Sequence, residues 1–296
     1  MVNVKKYFSV IILGAMVFGF IFPASGFFLK PYVSYILMVM MTLSALKIDL
    51  RELKKVSSDW WRYLVEMIFV FIIPILLVWL SRSFLEKEIY VGLVVVAAAP
   101  SAVAVVFMSD LLGGQPAKAL VSTTLAHLIS PFLMPFLIWI LIHTTVSVPF
   151  LDILWMIIKL VIIPFMVAEL VKKIPGYQKL LRHTGSFNTF LLIMILLAIV
   201  GPAQSLFLLH KLQTGIMFLL VFLILIVQFF ICFWFGRNRG EDITWTIVST
   251  YKNFALSSVV ALSFFGNVAL LGSVVFGIVS SLMLLPLQMW FGNNNK

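Results

Sequence analysis

Lys252 places an ammonium inside a long apolar run, about eight residues and therefore roughly 12 Å from its nearer polar end at 1.5 Å per residue. Charges at that depth are costly and usually face an interior cavity or a partner. Around it, Ser249 and Thr250 offer hydroxyls, and Asn253 offers an amide that both donates and accepts. A second polar interruption reads Ala97-Ala98-Ala99-Pro100-Ser101-Ala102. Pro100 has no N–H and crowds the carbonyl four residues earlier, so a helix running through it is expected to break and release carbonyls. Half-helix ends then present partial charges to an ion or polar solute. Ser101 and Thr123 complete the set of candidate binding residues. Lys252 is open to two readings: a positive charge that meets a solute, or an ammonium that caps the carbonyls released by the broken helix.

The remaining polar residues within apolar runs carry weaker signals. Lys159 is similarly deep but has no motif around it, and His127 fits a hydrogen-bonded core residue better than a ligand. Glu66, Asp110 and Glu169 lie near helix ends, with Lys173 four residues after Glu169 as a surface pair. Pro74, Pro135, Pro164 and Pro286 read as plain kinks. No zinc-protease, lipase-type serine, paired-aspartate or phosphate-cradling motif is present, so an enzyme is not expected. No cofactor or metal site is expected either. The lone Cys232 excludes an internal disulfide.

The elements that must position these residues follow from composition. Of 296 residues, 62% are hydrophobic and 11% charged, with a mean hydropathy of +1.14, far from the balance of a water-soluble domain. The net charge of +10 does not point to nucleic acid, because the cations sit in short gaps between apolar runs. Ten runs are long enough to span a bilayer: Tyr7 to Phe22, Pro31 to Leu46, Tyr63 to Leu80, Tyr90 to Met108, Leu120 to Ile142, Leu151 to Val171, Phe187 to Leu209, Thr214 to Phe235, Thr244 to Phe265 and Val268 to Trp290. Such runs must be helices, because lipid offers the backbone no hydrogen bonds.

With both termini inside, fifteen lysines and arginines fall on the inner side and four on the outer, which satisfies the positive-inside rule for an inner or plasma membrane protein. A cleavable leader is the alternative for the first thirty residues, since Lys5-Lys6 precedes an apolar stretch and Pro23-Ala24-Ser25-Gly26. Ten spans divide into two five-span halves, residues 1–146 and 147–296, the second inverted relative to the first. Setting Pro100 against Lys252 brings Gly114 against Gly266 and Ala117 against Ala269 without a gap.

In order and spacing, several short motifs resemble the bile acid/sodium symporters and their bacterial relatives. They are Thr42-Leu43-Ser44 followed by Ile48-Asp49-Leu50-Arg51, Ala99-Pro100-Ser101 leading to Gly113-Gly114 and Leu120 with Thr123, and Lys252-Asn253-Phe254-Ala255-Leu256-Ser257. The resemblance implies an all-α integral membrane fold of ten transmembrane helices, with broken fourth and ninth spans that cross in a core domain. A panel domain of the first, second, sixth and seventh spans then faces the core across a substrate cleft. Transport follows from movement of one domain against the other.

The departures matter as much. Where sodium-coupled members carry two glycines and then Ser-Asn, this chain has Ser101 and Ala102, then Val105 and Val106. Val248 stands where the family has a sodium-binding Glu, and Lys252 where it has Gln. Sodium needs oxygen ligands, and an ammonium repels it. Thr123 matches a sodium-site position, and Asn253 matches the family Asn that approaches substrate. The expectation is a secondary transporter of a small organic anion, with Ser101, Thr123, Ser249, Thr250, Lys252 and Asn253 around the site and Pro100 at the break. Sodium coupling is not expected, and proton coupling through Lys252 stays open. A symporter with a backbone-built sodium site, a channel and a non-transporting membrane protein are the alternatives.

Overall fold

A computed structural model describes residues 4–48, 60–181 and 184–292. Asp49, Leu50 and Arg51 of the second-span motif lie outside the described residues, as do Lys54, Lys55, Arg182 and Lys296 of the charge count. All regular structure among the described residues is helical, and extended pairing is limited to one isolated bridge between Ser101 and Lys252.

Among the described residues, seven helices are long and apolar enough to cross a membrane. They are α2 (Pro23–Ala45), α3 (Trp60–Leu80), α6 (Pro116–Ile142), α7 (Phe150–Val171), α9 (Thr184–Leu209), α10 (Lys211–Cys232) and α13 (Leu270–Gly292). Between them lie α1 (Val4–Ile21), α4 (Lys87–Ala97), α5 (Val105–Leu111), the short α8 (Gln178–Leu181), α11 (Arg239–Thr250) and α12 (Phe254–Phe264). The run from Tyr90 to Met108 is thus divided between α4 and α5, and that from Thr244 to Phe265 between α11 and α12. Large apolar side chains such as Phe28, Tyr35, Leu212, Trp234 and Phe230 are exposed on the outside, where lipid would cover them.

Two local features depart from the expected boundaries for physical reasons. α2 starts at Pro23 rather than Pro31, because proline fits the first helical position where its missing N–H is no loss. The chain accommodates Pro31 by tightening to a 3₁₀ turn over Lys30–Tyr32. In α3, residues Ile68–Ile72 form a π turn ahead of Pro74. Pro74 cannot donate to the carbonyl four residues back, which is that of Val70.

In one group of helices α9 packs against α1 and α2, and α2 against α7; α3 to α6 with α10 to α13 form a second group, which α7 joins through α6 and α1 and α9 join through α13. Each group is drawn together at a glycine crossing. A methyl group at Gly26 would lie 2.4 Å from the Leu197 carbonyl, and one at Gly92 would lie 2.2 Å from that of Ala269, with Gly272 on the facing helix equally tight. Gly92→Val is therefore expected to push α4 off α13. Overpacking of this kind costs about 1–3 kcal/mol, read as a lowered unfolding temperature in detergent, and Gly14→Val, where nothing lies within 4 Å, serves as the neutral control.

Candidate functional site

The two interruptions meet. α4 ends at Ala97 and α11 at Thr250, and the extended stretches that follow run antiparallel to each other. Asn253 N donates to Pro100 O (2.7 Å) and Ala102 N to Tyr251 O (2.8 Å). The backbone groups that each helix leaves unpaired at its end are satisfied by the other. Ser101 Oγ adds a bond to Val248 O (2.7 Å), and Asn253 caps α12 by accepting from Leu256 N (3.0 Å).

Lys252 is 1% exposed, and its ammonium donates to Val70 O and to Ala99 O (3.3 Å), beside the ring of Phe71 at 5.7 Å. Val70 O is the carbonyl that Pro74 leaves without its helical donor, and Ala99 O belongs to the stretch that ends α4. The side chain thereby takes up the carbonyl that Pro74 frees on α3 and one that lies beyond the end of α4. Beside it, Gln228 Nε2 donates to Phe69 O (2.9 Å) in the π turn and to Ser249 O (2.6 Å). The helical irregularities of α3 and α11 are thus held by polar side chains from α10 and from the crossing, as buried carbonyls require.

A cavity of about 640 Å³ opens in front of this crossing, between the two groups of helices. One wall comes from α1, α2, α7 and α9, including Ser44 and Asn188; the other comes from α5, α6, α13 and the crossing, including Thr123, His127 and Asn253. Lys47 and Asp110 also line it. Thr123 and His127 are four residues apart on one face of α6. His127 Nδ1 lies 2.8 Å from Thr123 O, so this nitrogen carries the proton, and Nε2 accepts from Asn253 Nδ2 at 3.3 Å. With Asn253 Oδ1 already used as the cap, its amide is oriented and retains one N–H for the cavity. Thr123 Oγ1 and Asn188 Oδ1 are buried and have no partner among the described residues.

The sequence candidates therefore divide. Thr123, Lys252 and Asn253 reach the cavity wall, whereas Ser101, Ser249 and Thr250 are buried around the crossing and do not line it. His127 and Asn188 complete the wall. Their only sequence signal is a solitary polar side chain in an apolar run, at helical spacing from Thr123 in the case of His127.

The comparison of the chain with family models bears out the family resemblance noted above. The model of the sodium bile acid symporter family matches residues 34–211. The chain belongs to the sodium bile acid symporter family. It is accordingly a multi-span membrane transporter, and an enzymatic role is not indicated. No individual curated protein matches it. Because the matched region ends before α11, Lys252 and Asn253 rest on the geometry of the crossing. Within the matched region fall Pro100, Ser101, Thr123, His127 and Asn188, so most of the cavity wall belongs to the family match.

Proposed function

We propose that this sodium bile acid symporter family member is a ten-span secondary transporter, with two inverted five-span halves, that moves a small organic anion by alternating access without obligatory sodium coupling. The observation that carries this reading is the Lys252 ammonium on Val70 O and Ala99 O. Carbonyls left free by broken helices are the oxygen ligands a backbone-built sodium site would use, and here a tethered cation takes them. Val248, where the family resemblance implies a carboxylate, supplies no side-chain oxygen. This argues against the alternative of a backbone-built sodium site.

Two further observations support the architecture. An antiparallel bridge has a local two-fold axis, which is what inverted halves need where they cross. It favours Ser101 opposite Lys252, one residue from the alignment that sets Pro100 against Lys252. The cavity is lined by the C-terminal part of α2 and the N-terminal parts of α6 and α9, at the ends that carry Lys47, Lys118 and Lys179. With those cations cytoplasmic, as are both termini in this reading, the cavity faces inward. Its opposite walls belong to the two helix groups, whose relative movement would close it. Anion preference follows from Lys47 and Lys252 against Asp110, the single carboxylate in the lining among the described residues.

A thermal-shift screen of small carboxylates and sulfonates on detergent-purified protein should yield a ligand, since binding to the folded state raises its apparent stability. Vesicles containing the protein should then take up or exchange that anion at equal rates in sodium and choline buffers. Strict, saturable dependence on external sodium would overturn the proposal.

A further inference from the structure

Behind the crossing, on the side away from the cavity, a column of polar side chains runs from the inner end of α3 toward Lys252. Its outer rung is ionic. Glu241 of α11 accepts from Lys118 of α6 (2.9 Å) and pairs with Arg62 of α3 (3.2 Å), and its other oxygen accepts from Arg237 N (2.8 Å). One helical turn deeper, Glu66 follows Arg62 and Ser122 follows Lys118, each by four residues. Ser122 Oγ donates to Glu66 Oε2 at 2.6 Å. Glu66 is 1% exposed, and its Oε1 has no partner among the described residues. Deeper still, Ser249 hydrogen-bonds the Cys232 side chain, Thr250 Oγ1 is buried without a partner among the described residues, and Gln228 and Lys252 lie on the freed carbonyls. None of Glu66, Ser122, Gln228, Ser249 or Thr250 lines the cavity, although Thr123, the residue after Ser122, does.

We propose that Glu66 is a proton-binding site, separate from the solute cavity, through which this transporter couples to protons; this rests on the transport reading above. The charged and titratable groups around Glu66 leave it no cation of its own. Arg62 on the same helix and Lys118 on α6 are both held by Glu241. Cys232 of α10 lies within electrostatic reach of Glu66 and of Lys252, and the Lys252 ammonium is held by backbone carbonyls. An ionised carboxylate buried with one oxygen unbonded carries an uncompensated desolvation penalty. A proton removes it: an O–H bond forms at Oε1 as a proton arrives from water at the inner face, and that bond breaks when the proton returns to water. A metal cation fits less well, because it needs several oxygen ligands and the Ser122 hydroxyl already donates its hydrogen to the carboxyl. The consequence for transport runs through α6. The Ser122 bond ties Glu66 to the helix whose next residue, Thr123, forms the cavity wall, so loading and unloading Glu66 alters the hold of α3 on that wall.

Infrared pH-difference spectroscopy on detergent-purified protein tests this without any solute. The carbonyl stretch of a protonated carboxylic acid should bleach as the pH is raised, vanish in Glu66→Gln, and shift in frequency in Ser122→Ala, which keeps the carboxyl but loses its donor. Should Glu66→Gln fail to fold, the Ser122→Ala shift alone assigns the band. Absence of the band overturns the site, as does a band insensitive to both substitutions. A band abolished at constant pH by exchanging choline for sodium would assign the site to a metal cation instead. In vesicles, Glu66→Gln should lose at least tenfold in proton-gradient-driven anion accumulation while anion exchange persists. Unchanged accumulation overturns the coupling even where the band is present, and a chain that moves no anion fails the transport reading while the infrared assignment still stands or falls by itself.

Discussion

Lys252→Met and Lys252→Gln are both expected to weaken anion binding by about 30-fold, yet to differ clearly in stability. The shared loss is electrostatic. Two unit charges about 8 Å apart at an effective dielectric constant near 20 attract by roughly 2 kcal/mol, and each substitution removes one of them from behind the wall of the cavity. The difference is a matter of hydrogen bonding. Val70 O, left without its helical donor by Pro74, and Ala99 O, beyond the end of α4, receive the ammonium. Gln presents an amide NH₂ to the same carbonyls, whereas Met presents nothing, and each buried acceptor left without a donor costs about 1–3 kcal/mol. Comparing the two variants cancels the common relief from removing a buried charge, so their difference isolates the capping role. Isothermal titration with the anion found by thermal shift measures the first effect, and chemical denaturation in detergent the second. Equal stability of the two variants would show that the carbonyls do not depend on Lys252. Retained affinity in both would show that its charge does not act on the solute.

Much of this arrangement was legible in the sequence because it rests on residues that are anomalous in an apolar helix. Pro100 has a local consequence, the loss of a helical hydrogen bond, and Lys252 carries a charge that lipid cannot accept, so both marked their spans. Pro74 is equally disruptive but reads in sequence as a plain kink. The Val70 carbonyl it frees is taken up by Lys252, 182 positions further along the chain from Val70, and no local pattern reports such a pairing. The same applies to Glu66, read from sequence as a residue near a helix end; its burial depends on α6 and α11 closing over it. Ser101, Ser249 and Thr250 were grouped with Asn253 because all flank the interruptions. Where the chain leaves the helix, neither a 3.6-residue nor a two-residue period holds, and which flanking side chain faces the cavity is decided by the crossing of backbones. The start of α2 at Pro23 shows the converse case, where a proline ahead of the span expected from Pro31 to Leu46 is a favoured helix opener.

Asn253→Asp is expected to fold as well as the unmodified protein and to transport the anion at least ~100-fold less efficiently. The amide has two separable duties. Its Oδ1 accepts from Leu256 N and caps α12, and its Nδ2 donates to His127 Nε2 with one N–H left toward the cavity. A carboxylate caps a helix as well as an amide does and is favoured by the positive end of the helix dipole. The first duty therefore survives in Asp. The second does not, because a carboxylate has no hydrogen to give to His127 or to a solute, and hydrogen bonds to a charged partner are worth about 1.5–3 kcal/mol. Placing a negative charge at the same point adds repulsion of an anionic solute to that loss. Asn253→Leu supplies the contrast: it removes the cap, at about 1 kcal/mol, along with the donor, so it should lower both stability and transport. Initial rates of anion exchange in vesicles, set beside unfolding midpoints of the same preparations, separate the two duties. Normal transport by Asn253→Asp would reduce Asn253 to a helix cap and move solute recognition to Thr123, His127 and Asn188. A fall in stability with transport intact would reverse the assignment of its two ends.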